Sequence, residues 1–124
     1  KLKKIFSLGN GNELIKFKSI EVKHGKINSI GYIFNNSAYI ADCNLLSSSN
    51  MAKLRNLKYF IIDCLQFKPH SSHFSFNEVL SILKEIKPKK TILTHMTALL
   101  DEKELISRCP DNVFPAHDGM EIDI

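Results

Sequence analysis

The sequence predicts an α+β domain, a sheet layer packed against a helix layer, because strand-like stretches fill its first half and strands alternate with helices in its second. Three observations carry this. Residues 14–23 alternate apolar and polar side chains, the period of a half-exposed strand. Residues 58–63, Lys-Tyr-Phe-Ile-Ile-Asp, form a nearly continuous apolar run, as expected of a strand covered on both faces. Ser75 with Glu78 makes a capping box, followed by Phe76, Val79, Leu80, Leu83 and Ile86 at helical spacing up to Pro88.

Taken in order, the Gly9-Asn10-Gly11-Asn12 turn leads into the first alternating strand, which ends on His24. Residues 30–35 and 37–42 are β-rich runs on either side of Asn35-Asn36, a hairpin signal that lacks the usual glycine. Asp42 closes the second run. Met51, Leu54 and Leu57 repeat at helical spacing, placing a short helix within residues 46–57. The central strand 58–63 and the loop 65–73 come next, then the capped helix. A strand over 91–94 delivers His95. Asp101 and Glu104 repeat the capping pattern for a last helix that runs to Arg108 and stops at Pro110. Residues 113–115 and 120–124 read as short terminal strands around the turn His117-Asp118-Gly119.

At 124 residues, 44% of them apolar, the chain forms one domain and is too short for two. Its apolar runs fall far short of the ~20 residues of a membrane span, and no signal-peptide layout opens it, so a soluble, cytoplasmic protein is expected. The first residue is Lys1, which suggests a chain processed or cut from a longer one. Its 3 cysteines, Cys43, Cys64 and Cys109, lack CxxC spacing and read as reduced thiols. The net charge of +4 is spread over scattered lysines. It fits a solvated basic surface first, and the same mild positive charge would also draw in a small phosphate ester.

Function is suggested by where the histidines fall. His24, Asp42, His73 and His95 all stand where a strand or helix begins or ends, so one sheet rim can gather them. Neutral imidazole and carboxylate suit divalent ions such as Zn²⁺ and Mn²⁺. His70 reads as a loop residue, and Asp63 as an acceptor of backbone hydrogen bonds.

The series His24-x6-Gly31-Tyr32, Tyr39-Ile-Ala-Asp42, Pro69-His70-x-x-His73-Phe74, Leu93-Thr94-His95-Met96 and Ala116-x-Asp118-Gly119-Met120 resembles the C-terminal half of a metallo-β-lactamase-superfamily hydrolase, in the branch of cyclic-phosphate phosphodiesterases of phosphonate breakdown. The resemblance implies half of an αββα sandwich, a mixed sheet with helices on one face, spanning residues 1–124. It implies His24 as ligand of one metal, Asp42 as the bridge between two, and His95 as ligand of the other, the ions being Zn or Mn. It gives both His73 and Asp42 catalytic parts, Asp42 as that bridge and His73 by contacting the substrate phosphate or helping to protonate the leaving group. The superfamily's His-x-His-x-Asp-His signature is absent from these residues, so half of the metal site and an N-terminal half-domain are expected elsewhere. Ala98 stands where relatives often have a second histidine, and His117 where they usually have tyrosine.

The expected function is part of a metal-dependent phosphodiesterase acting on a small phosphate ester, inactive as this fragment alone. A non-catalytic split or decaying domain and a nucleic-acid-processing relative stand as alternatives. The expected partner is a homodimer mate or the N-terminal half-domain, covering an open apolar sheet face assigned to Ile20, Val22, Ile33 and Ile40.

Overall fold

The computed structural model describes residues 4–124. Strands β1 (Ile5–Leu8), β2 (Ile15–His24), β3 (Ile27–Phe34) and β4 (Ser37–Ile40) precede helix α1 (Ser48–Lys53), followed by β5 (Tyr59–Asp63), α2 (Phe76–Ile86), β6 (Lys90–Thr94), α3 (Glu102–Arg108) and β7 (Val113–Pro115). The strands lie side by side in chain order in one 7-stranded sheet. Pairing is antiparallel from β1 to β4 and parallel from β4 to β7, so the α+β class with a mixed sheet is what forms.

This strand order decides where the chemistry goes. β2 and β4 both run antiparallel to β3 and so share a direction, which β5 and β6 continue. The C-terminal ends of β2, β4, β5 and β6 therefore meet on one rim, as strand ends do in open parallel sheets that carry sites there.

The helices pack on one face of the sheet. Their buried Met51, Val79, Ile82, Ile86 and Leu105 join Ile20, Val22, Ala38, Ile40, Phe60, Ile62 and Leu93 in a single core. Ile20, Val22 and Ile40 are thus covered by the chain's own helices, at most 4% exposed, Ile33 packs against the same core, and the expectation that these four line the uncovered face is wrong. Period-two alternation yields two sets of residues and does not say which one meets the helices. Gly31 faces the same core, where a Cβ would come within 2.9 Å of Ile40 Cγ1, so the close approach of β3 to β4 there needs glycine.

The opposite face carries an aromatic band. Phe6 stacks on Phe17 with ring centroids 5.2 Å apart, Phe17 meets Phe34 at 5.0 Å, and Phe6 meets Tyr32 edge-on at 5.9 Å. Tyr39 and Phe114 lie further along, 40% and 41% exposed. Residues 116–123 cross the β5–β6 end of this face, where Lys58 Nζ donates to the carbonyl of Asp123 at 2.8 Å. They do so without joining the sheet, so the terminal strand expected over 120–124 is absent.

β1 was not anticipated. Ile5 to Leu8 pair with residues 15–18, and the glycine-rich stretch between is the hairpin loop. The Asn35-Asn36 hairpin forms with both residues left-handed, at φ 42 and 55, as a two-residue primed turn requires. No helix among the described residues is long and apolar enough to cross a membrane.

Candidate metal centre

His24 is the last residue of β2, and its Nδ1 lies 2.8 Å from the carbonyl oxygen of Ser72. A carbonyl can only accept, so this contact makes Nδ1 the N–H and leaves the Nε2 lone pair free. The β-turn after His24 is seated on the next loop: Gly25, at φ +59, donates its N–H to Asn44 Oδ1 at 2.7 Å, and a Cβ there would lie 3.1 Å from that of Ser72. Further backbone bonds between Lys23 and residues 44–45 hold the loop after β4 against the end of β2. That loop presents Asp42, half exposed and left-handed at φ 51.

His73 comes from the long loop after β5. Leu65 N–H donates to Phe74 O and Phe76 N–H to Gln66 O, so the loop is zipped at its base and its histidine is set over the strand end. α2 starts directly afterwards, with Glu78 accepting the Ser75 N–H at 2.7 Å. Under the loop lies Asp63, fully buried. Its Oδ2 accepts the Cys43 N–H at 2.9 Å and lies 2.6 Å from His73 Nδ1. A buried carboxylate is costly unless it is bonded, and these two donors are what hold it. Asp63 Oδ1 has no partner among the described residues. The sequence suggested backbone acceptance for Asp63, which is found; its tie to His73 was missed. An acidic residue ending the central strand ten positions before a loop histidine was the only signal for it.

His95 follows β6, left-handed at φ 61, with Nε2 3.4 Å from Asp42 Oδ1 and a side chain 41% exposed. The imidazoles stand in a row. Ring centroids are 4.6 Å apart for His24 and His73, and 4.8 Å apart for His73 and His95. The structure thus brings together His24, Asp42, His73 and His95, the four residues that the sequence pointed to. One ligand-capable atom from each of His24, Asp42 and His73 falls within 4.8 Å of the others, a donor set whose chemistry fits a divalent ion. His70 is peripheral and exposed, its ring centroid 5.3 Å from that of His73 and its Nδ1 accepting the Ser72 N–H. His117 is also exposed, with Nδ1 3.1 Å from the carbonyl of Asp118.

A family model described as a β-lactamase superfamily domain matches residues 3–96. The chain belongs to the metallo-β-lactamase superfamily. It superimposes on the crystal structure of a diphosphatase from the PhnP family with a TM-score of 0.86 and 30% identity, over 95% of this chain and 46% of that one. The metallo-β-lactamase-fold protein YhfI from Bacillus subtilis matches with a TM-score of 0.75 and 17% identity, over 96% and 53% of the two chains. Human tRNase Z, short form, matches at 0.68 and 16%, over 98% and 47%. At those lower identities the likeness is one of fold. Among curated protein sequences none matches. The chain spans about half the length of these superfamily structures.

Membership implies divalent metal binding, and His24, Asp42 and His73 form a candidate partial site for it. The left-handed backbone at Asp42 and His95 was not legible in the sequence, because neither residue is glycine and both dihedrals are set by the loops that carry them.

Proposed function

We propose that this chain is the C-terminal metal-binding part of a phosphodiesterase acting on a small phosphate ester. The convergence of His24, Asp42, His73 and His95 on one rim, in a superfamily of metal-dependent hydrolases, carries the reading. In the complete site His24 and His95 would each hold one of two Zn or Mn ions, and Asp42 would bridge them. Paired divalent ions supply an activated water and neutralise charge developing on the phosphoryl oxygens. His73, with Nδ1 engaged by Asp63, keeps Nε2 free and would contact the phosphate or help protonate the leaving group.

The remaining ligands, and the second sheet that carries them, would come from polypeptide outside these 124 residues, packed on the aromatic band of Phe6, Phe17, Tyr32 and Phe34. Two facts support this: the chain spans about half the length of its structural relatives, and it contains no His-x-His-x-Asp-His. Sheet-on-sheet packing buries such faces in β-sandwiches.

The test is hydrolysis of a chromogenic bis-aryl phosphodiester with excess Mn²⁺ or Zn²⁺. The chain alone should turn over negligibly, and joining it to a sheet bearing the missing signature should restore activity that His95→Ala abolishes. Equal rates from both forms, or no activity from either, would overturn the reading; the second result would favour a non-catalytic domain.

A further inference from the structure

We propose that the chain by itself holds one divalent ion, and that His73, braced by Asp63, is its third protein ligand beside His24 and Asp42. The inference rests on the metal-centre reading and changes the part played by His73: what would be a substrate contact in the complete site serves as a ligand in this half.

A histidine ligand is usually oriented by an oxygen acceptor on the nitrogen that does not bind metal, which fixes the tautomer and aims the other lone pair. His24 has this arrangement, with Ser72 O 2.8 Å from Nδ1, and so does His73, with Asp63 Oδ2 2.6 Å from Nδ1. Both therefore present Nε2. The His73 arrangement is the stronger, because its acceptor is a fully buried carboxylate and its own side chain is only 12% exposed. Carboxylate, histidine and ion in series also raise the basicity of the ligating nitrogen.

His95 lacks such bracing. Its side chain is 41% exposed, its Nε2 lies 3.4 Å from Asp42 Oδ1, and among the described residues no oxygen acceptor orients its Nδ1. Ordering it on an ion costs rotamer freedom that His24 and His73 have already lost on folding. Proximity agrees: His24, Asp42 and His73 offer ligand atoms within 4.8 Å of one another. Two imidazoles and a carboxylate are a complete protein complement for a site whose other positions are filled by water or substrate.

The experiment is titration of the metal-free 124-residue chain with Co²⁺ and Zn²⁺, following heat and Co²⁺ absorption, together with ¹H–¹⁵N spectra of the histidine rings. One ion should bind per chain, moving the Nε2 resonances of His24 and His73 and leaving that of His95 in place. Affinity should fall by about 100-fold or more in His73→Gln, by about 10- to 100-fold in Asp63→Asn, and by less than about threefold in His95→Ala. The ring spectra decide the matter even if a substitution at Asp63 impairs folding. A shift at His95 in place of His73, or a loss of affinity in His95→Ala with none in His73→Gln, would overturn the inference and leave the metal centre intact. Unchanged binding in His24→Ala and Asp42→Ala, or no binding by the wild type, would overturn the inference, and the first of these would also remove the metal-centre reading beneath it.

Discussion

Asp42 and His95 meet across 3.4 Å from two loops that end parallel strands, and both hold left-handed backbone, φ 51 and 61. Such dihedrals cost a residue with a Cβ about 1 to 2 kcal/mol, less for aspartate, whose side chain tolerates the region. The fold has accepted that cost where it gathers ligand-type residues, as functional sites often do.

The His95 backbone can therefore be separated from its side chain by mutation. His95→Ala keeps the strained dihedral and His95→Gly releases it, while both remove the half-exposed ring. In the metal-free protein His95→Gly should be the more stable by about 1 kcal/mol, measured as the difference in urea midpoints. Equal stabilities would show that the loop after β6 relaxes and that φ 61 is not held there.

The rim itself was legible because strand ends are: alternation in β2, the apolar run of β5 and the cap of α2 each locate a boundary, and the histidines stand at boundaries. The faces were not. Ile20 and Phe17 both read as apolar residues of an alternating strand, and only the helices settling on Ile20 made Phe17 the uncovered one. β1 escaped notice because four residues after a lysine-rich start carry too little pattern, and it exists by pairing with β2. Residues 120–124 carry enough apolar character for a strand but bind the sheet face through side chains and Lys58, which a pattern along the chain does not show.

Gly31 gives a packing test. A Cβ there would lie 2.9 Å from Ile40 Cγ1 and 3.3 Å from Ile20 Cγ1, both in the buried core. Gly31→Ala should cost about 1 to 3 kcal/mol through overpacking, with Ile40→Val in the same chain recovering part of it. Urea unfolding of the two variants checks this, and a Gly31→Ala protein as stable as wild type would mean that β3 and β4 are less closely apposed than described.

The buried thiols should make the fold lose stability at alkaline pH. Burial raises Cys43 and Cys64 from 9.0 to about 12, with the nearby Asp63 carboxylate adding to the rise in both. Between those pH values the unfolded chain has released protons that the folded chain retains, so stability falls as pH rises. The contribution is fully present below about pH 9 and is lost toward pH 12, at up to about 1.4 kcal/mol per pH unit for each thiol. Replacing both with alanine should flatten the decline of the urea midpoint above about pH 9 relative to wild type; parallel declines would count against it. In the folded protein at about pH 8, Cys109, the thiol left partly accessible, should react first with a thiol reagent.

The aromatic band decides what the chain does when alone. Phe6, Phe17, Tyr32 and Phe34 form a contiguous apolar surface on the face away from the helices, and residues 116–123 cover only the β5–β6 end of that face. Contiguous apolar patches beyond a few hundred Å² are uncommon on monomers, because water is excluded from them at about 25 cal/mol per Å² when a partner is found. At tens of micromolar the isolated chain should therefore scatter light as a species larger than its 14.1 kDa monomer. Phe17→Glu with Phe34→Ser should return it to monomer with little loss of fold, since neither ring belongs to the buried core cluster between sheet and helices. A second sheet bearing the missing ligands should compete for the same face and shift the wild type from self-association to a one-to-one complex. A wild-type chain that stays monomeric and takes up no such sheet would show that residues 116–123 and the aromatic contacts already satisfy the face, and the divided-site account would lose its docking surface.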